Sequence, residues 1–136
     1  MATRLNPYIS FGDTAREAMT FYQQVLGGNL ELHTFSEYGG GEEPFADLIM
    51  HGVLETEDGL SLMGADTPPG METRSGNNIT ISLSGDDGEA LRRWFEGLSE
   101  GGTVAMPLEK QVWGDEYGAC KDRFGIDWMV DIVAKA

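Results

Sequence analysis

Residues 7–28 read PYISFGDTAREAMTFYQQVLGG, a short β-like run leading into an amphipathic helix. Leu5 to Phe11 alternates as a strand, with Leu5, Pro7, Ile9 and Phe11 on one side and Asn6, Tyr8 and Ser10 on the other. The proline places this strand at an edge or at a strand start. Thr14 to Leu26 carries a helix: Thr14 and Glu17 have capping-box spacing, Ala15, Ala18, Met19, Tyr22, Val25 and Leu26 form one apolar stripe, and Gly27 ends it. The same order returns later in the chain when Asn6 is laid on Asn78, Ile9 on Ile81, Phe11 on Leu83, Ala18 on Ala90, Tyr22 on Trp94 and Leu26 on Leu98. An internal repeat of one strand and one helix is a structural unit used twice.

Each copy is followed by three further strands. In the first half these are Leu30 to Ser36, Phe45 to Glu55 and Leu60 to Ala65, with a glycine-rich loop at Tyr38 to Pro44 and a turn at Glu57-Asp58-Gly59. Asp66 to Gly76, DTPPGMETRSG, is the longest stretch of structure breakers and divides the chain almost in half. The second half begins with a strand at Asn78 to Ser84. Asp86 and Glu89 then have capping-box spacing before a stripe of Ala90, Leu91, Trp94, Phe95 and Leu98, which Gly101-Gly102 ends. Strands at Thr103 to Val112, Glu116 to Lys121 and Ile126 to Val133 complete it, the last two joined by a tight turn at Asp122-Arg123-Phe124-Gly125. In the last strand Ile126, Trp128, Val130 and Ile132 point one way, and Asp127, Met129 and Asp131 the other.

The expected class is therefore α+β: two tandem βαβββ repeats, residues 5–66 and 77–134, making one domain over residues 1–136. One helix covers only one face of a curled four-stranded sheet, so the other faces are expected to enclose a cleft.

The totals narrow the partners. The formal charge of -14, from 23 acids against 9 bases, disfavours nucleic acid and anionic membranes as partners and suits a cationic ligand or a solvated acidic surface. No apolar run approaches the roughly 18 residues of a membrane span, and MATRLNPYIS has neither an h-region nor a cleavage-site pattern, so a cytoplasmic location is expected. Cys120, the single cysteine, excludes an internal disulfide and reads as a small buried hydrophobe with no adjacent histidine to activate it.

Trp113-Gly114-Asp115-x-Tyr117-Gly118, followed by Asp122-x-Phe124-Gly125-x-x-Trp128, together with the opening residues 7–28 and the tandem βαβββ order, resembles the vicinal oxygen chelate superfamily. That superfamily includes glyoxalase I, extradiol dioxygenases and bleomycin-resistance proteins, and within it the motif is similar to the PhnB-like branch, also labelled 3-demethylubiquinone methyltransferase-like. The resemblance implies a homodimer in which one subunit completes the cleft of the other. It also implies four cavity-facing metal positions, which fall here on Asn6, Met63, Asn78 and Met129. Alternation agrees, since these residues lie opposite the apolar rows Leu60 with Leu62, Ile79 with Ile81, and Trp128 with Val130. Two amides and two thioethers offer no imidazole or carboxylate, so no metal and no other cofactor is expected there.

The expected function is then metal-free binding of a small organic molecule, by analogy with the bleomycin-resistance proteins. Tyr8, Met63, Trp113 and Met129 would supply contact area, and Asn6 and Asn78 would orient polar groups. The alternative is a lyase or isomerase with an absent or non-standard metal site, recruited by His33 and His51 with help from Glu31 or Asp47; the bland reading of both histidines is that of ordinary strand residues. Asp115, Asp127 and Asp131 read first as turn or solvated carboxylates, and Ser10, Ser61, Thr80 and Ser82 have no nearby histidine to make a nucleophile. Methyl transfer from S-adenosylmethionine is set aside, because the chain has no doubly wound βαβα pattern and no glycine-rich loop opening a helix after a first strand.

Overall fold

The computed structural model describes residues 3–39, 45–68 and 70–134, so the greater part of the expected glycine-rich loop, residues 40–44, lies outside the described residues. The chain divides into two units, Met1–Arg74 and Ser75–Ala136. The first contains β1 (Tyr8–Phe11), α1 (Ala15–Leu26), β2 (Asn29–Thr34), a 3-10 turn at Ser36–Tyr38, β3 (Ile49–Glu55) and β4 (Ser61–Asp66). The second contains β5 (Ile81–Gly85), α2 (Gly88–Ser99), β6 (Thr103–Lys110), β7 (Glu116–Lys121) and β8 (Asp127–Ile132). Each unit is an open four-stranded mixed sheet with one helix: the strand orders are β1-β4-β3-β2 and β5-β8-β7-β6, with the outer pairs β1/β4 and β5/β8 parallel and the rest antiparallel. The α+β class and the repeated βαβββ order are as the sequence predicts.

In the first unit α1 buries Ala15, Ala18, Met19, Phe21, Tyr22 and Leu26. Two glycines keep the row under the helix free of side chains: a Cβ on Gly64 would stand 3.0 Å from the Met19 sulfur of α1 and from a Phe11 ring carbon, and one on Gly52 would stand 2.9 Å from the Leu32 side chain of the neighbouring strand. Gly52 and Gly64 are register partners, so this row of the sheet faces the helix and the alternate residues His51, Val53, Met63 and Ala65 face away from it. A bulge between His33 and Thr34 resets the alternation, and Ile49 returns to the core fully buried.

The second unit repeats the plan with its own residues. α2 buries Ala90, Leu91, Trp94, Phe95 and Leu98, the stripe read from the sequence. Against it lie Leu83, Cys120, Trp128, Val130 and Ile132, all buried. A Cβ on Gly118 would meet Phe95 at 3.0 Å and the Leu108 backbone at 2.9 Å, which explains the small residue in the middle of β7.

Several expectations need correction. The strand expected from Leu5 starts only at Tyr8, and Leu5 is 100% exposed; Pro7 has no N–H to give, although its carbonyl accepts the Met63 N–H at 3.0 Å. The strand expected from Asn78 starts at Ile81, leaving Ile79 81% exposed, because its partner β8 begins only at Asp127 and offers nothing further back to pair with. Phe45 to Leu48 forms a turn, closed by the Leu48 N–H on the Phe45 carbonyl, and not the start of β3. β6 ends at Lys110, after which Gln111 to Asp115 turns with the Gln111 N–H on the Asp115 carbonyl at 2.7 Å.

Both capping boxes also fail in detail. Thr14 makes no side-chain cap; the carboxylate of Asp66, from the end of β4, accepts the Ala15 N–H at 2.9 Å and the Ile49 N–H at 2.8 Å. α2 is capped by Asp87, one residue after the expected Asp86, which accepts the Ala90 N–H at 3.2 Å.

Candidate functional site

The face of the first sheet that α1 does not cover is built from alternate residues of all four strands. Tyr8 and Met63 are register partners on β1 and β4, Met63 pairs in turn with Val53, and Val53 with Glu31. His33 and His51 are register partners on β2 and β3. The Tyr8 ring stacks on His51 with centroids 6.0 Å apart and planes 26° apart, while Tyr38 meets His33 edge-on at 6.0 Å. The His33 Nδ1 lies 3.6 Å from a carboxylate oxygen of Glu37, which also accepts the Thr34 N–H. Tyr8 is 52% exposed, so this strip of rings is available from outside the unit's core.

On the uncovered face of the second sheet, Met129 pairs with Ser82 on one side and Ala119 on the other, and Asp131 pairs with Ser84 and Tyr117. Burial raises the Asp131 carboxyl above its ordinary range, and a hydrogen bond and charge repulsion from Asp115 push it the same way. Asp115 belongs to the turn after β6 and accepts the Ala134 N–H at 3.0 Å, which ties that turn to the chain beyond β8. Trp113 sits on the same turn, 61% exposed.

The six expected ligand-binding residues thus fall into two groups. Tyr8 and Met63 stand side by side on the first sheet, and Asn6 lies just before β1, half-buried. Met129 lies mid-sheet in the second unit, Trp113 on a turn at its end, and Asn78 on an exposed bend before β5. Asn6 and Asn78 are therefore not strand residues. The donor set of the four superfamily metal positions remains two amides and two thioethers, which does not fit a first-row divalent ion. Among the described residues, no three or more His, Cys, Asp and Glu side chains are grouped to hold a metal.

The sequence missed Glu37 and Tyr38, both set against His33 by the 3-10 turn after β2; the i,i+4 spacing of His33 and Glu37 was the available signal. The turn motif near the C-terminus is structural. Buried Asp122 accepts the N–H groups of Phe124 and Ile126 at 2.8 and 3.1 Å and the indole N–H of Trp128 at 2.8 Å, while the Arg123 guanidinium donates to the Glu100 carbonyl beyond α2. Cys120 is buried as expected; burial pushes its thiol up, and the charges of Asp122 and Asp127 add to that shift while a hydrogen bond with Ser99 opposes it. A cavity of about 560 Å³ lies between residues 26–29 and 55–58 of the first unit, and none of the expected site residues lines it.

These features match known proteins along nearly the whole chain. Residues 4–130 match the model of the Glyoxalase/Bleomycin resistance protein/Dioxygenase superfamily. Protein YjdN of Escherichia coli K12 is 27% identical over 95% of both chains. The crystal structure of protein PA1353 from Pseudomonas aeruginosa is similar with a TM-score of 0.87 and 34% identity, over 98% of this chain and all of that one. The PhnB protein of Bacillus cereus shares the fold, with a TM-score of 0.76 at 19% identity over 96% of this chain and all of that one. The chain belongs to the glyoxalase/bleomycin resistance protein/dioxygenase superfamily.

Proposed function

We propose that the protein binds a small organic molecule on the uncovered sheet faces, in the cytoplasm and as a homodimer, without a metal at the four positions where metal-using relatives place their ligands. The observation that carries this reading is the pairing of Tyr8 with Met63, with His51 stacked on the tyrosine: an adaptable thioether beside one exposed and one half-buried ring is a surface suited to a flat, partly apolar ligand. Met129, mid-sheet, and Trp113, on the turn after β6, add separate contact area in the second unit, and Asn6 and Asn78 supply amides for polar groups. The charge of -14 favours neutral or cationic ligands.

A second reading, a lyase or isomerase working by proton transfer, draws on Asp131. A carboxyl that keeps its proton above the ordinary range, hydrogen-bonded to Asp115 and beside Tyr117, has the character of a general acid.

A thermal-shift screen of quinones, dyes and planar antibiotics tests the first reading. A specific ligand at 100 times its Kd is expected to stabilise by about 2.7 kcal/mol, and Tyr8→Ala with Met63→Ala is expected to abolish that gain while leaving the unliganded melt unchanged. A hit that survives in this double variant would move the site elsewhere.

A further inference from the structure

We propose that His33 and His51 form a surface site for a single borderline divalent ion of the copper, nickel or zinc class, apart from the four superfamily positions. The two histidines are directly opposed on antiparallel strands, and both lie on the face that α1 leaves uncovered. Opposed residues bring their Cβ atoms to about 4.5–5.5 Å, a span over which two imidazoles can reach one ion with bonds of about 2.0 Å. Neither side chain is buried in the core, so an ion can arrive from solvent.

The neighbours of each ring suit that role. Glu37 stands 3.6 Å from the Nδ1 of His33, within a small side-chain rotation of the arrangement in which a carboxylate takes one imidazole nitrogen and leaves Nε2 as the metal donor. Glu37 is itself positioned, since its carboxylate accepts the Thr34 N–H and Tyr38 beside it packs edge-on against His33. Tyr8 stacks on His51 and fixes its plane. Glu31 lies on the same face of β2, two residues from His33, and adds negative charge to a chain already at -14. Two imidazoles leave the remaining coordination positions to water, so the site is open and exchangeable and follows the usual order of affinity, with Cu²⁺ bound most tightly. Uptake of the ion is read directly, whether or not an organic ligand binds these faces.

The test is titration of untagged protein with Cu²⁺, followed by electron paramagnetic resonance and by competition with a weak chelator. One Cu²⁺ per chain with nitrogen hyperfine structure is expected. His33→Ala and His51→Ala should each weaken uptake at least tenfold. His33→Asn and His51→Asn, which keep a polar side chain of similar size, should do the same while melting as the parent does. Glu37→Gln should weaken uptake about tenfold through the orientation of His33. Absence of stoichiometric uptake by the parent protein would overturn the proposal, as would parental affinity in the two asparagine variants.

Discussion

Asp66 and Asp122 show how single carboxylates do work that local sequence patterns assign to other residues. Asp66 holds the first N–H of α1 and the first N–H of β3 at once, in a buried position. Asp66→Ala leaves two buried donors unpaired and is expected to cost roughly 2–4 kcal/mol, whereas Thr14→Ala, at the position that looks like the cap, should change stability by less than about 0.5 kcal/mol. Urea unfolding of the two variants measures the difference, and equal losses would mean that the cap assignment is wrong. Asp131 gives a prediction in pH. Its carboxyl binds a proton more tightly in the folded than in the unfolded chain, first through burial and then through Asp115, so its favourable contribution is complete below the ordinary carboxylate range and is lost as pH rises through the raised value. Above that value two carboxylates face each other. Asp131→Asn should therefore raise the melting temperature at neutral pH and lose that advantage in acid; a variant less stable than the parent at neutral pH would contradict this account.

At the scale of elements, the two faces of each sheet answer to different demands. The covered face of the second sheet packs Trp128 against α2, with its indole N–H on Asp122, and Trp94 enters the same core from the helix. Truncating either tryptophan to alanine should cost about 3–5 kcal/mol, whereas Asn6→Ala and Asn78→Ala, both outside the strands and outside the core, should unfold at the parental denaturant midpoint. Comparable losses in all four variants would show the faces to be misassigned. The helices and central strands were legible in the sequence because apolar period and burial agree there: the stripe of α2 and the Trp128, Val130, Ile132 row need nothing beyond their own spacing. Strand starts were less legible. Ile79 has strand character, but a strand ends where its neighbour does, and only the register with β8 reveals that. The same limit hid the opposition of His33 and His51, which is set by the pairing of β2 with β3 and not by any local spacing. The resemblance supplied the positions Asn6, Met63, Asn78 and Met129, while the chemistry of their side chains rests on this chain alone.

At the scale of the whole molecule, open sheets and charge oppose one another. Each unit ends in two edge strands, β1 and β2 in the first, β5 and β6 in the second. β6 carries its own protection, with Pro107 in the strand and two breaks in its register against β7, yet Val104 and Met106 are 45% and 47% exposed. Leu5, Val112 and Ile79 add further exposed apolar surface that a partner of the same sequence could cover. Association must overcome the repulsion between two chains at -14. That repulsion is screened beyond about 8 Å at physiological ionic strength, while apolar burial does not weaken with salt, so a homodimer is expected to tighten as salt rises from low to moderate concentration. Light scattering coupled to size exclusion, at micromolar protein, should give twice the 14.8 kDa chain mass at moderate salt and a larger monomer fraction at low salt. If the monomer mass persists at every salt concentration, the exposed edges and apolar side chains have another purpose, and whatever ligand binds to these faces is held by one chain alone.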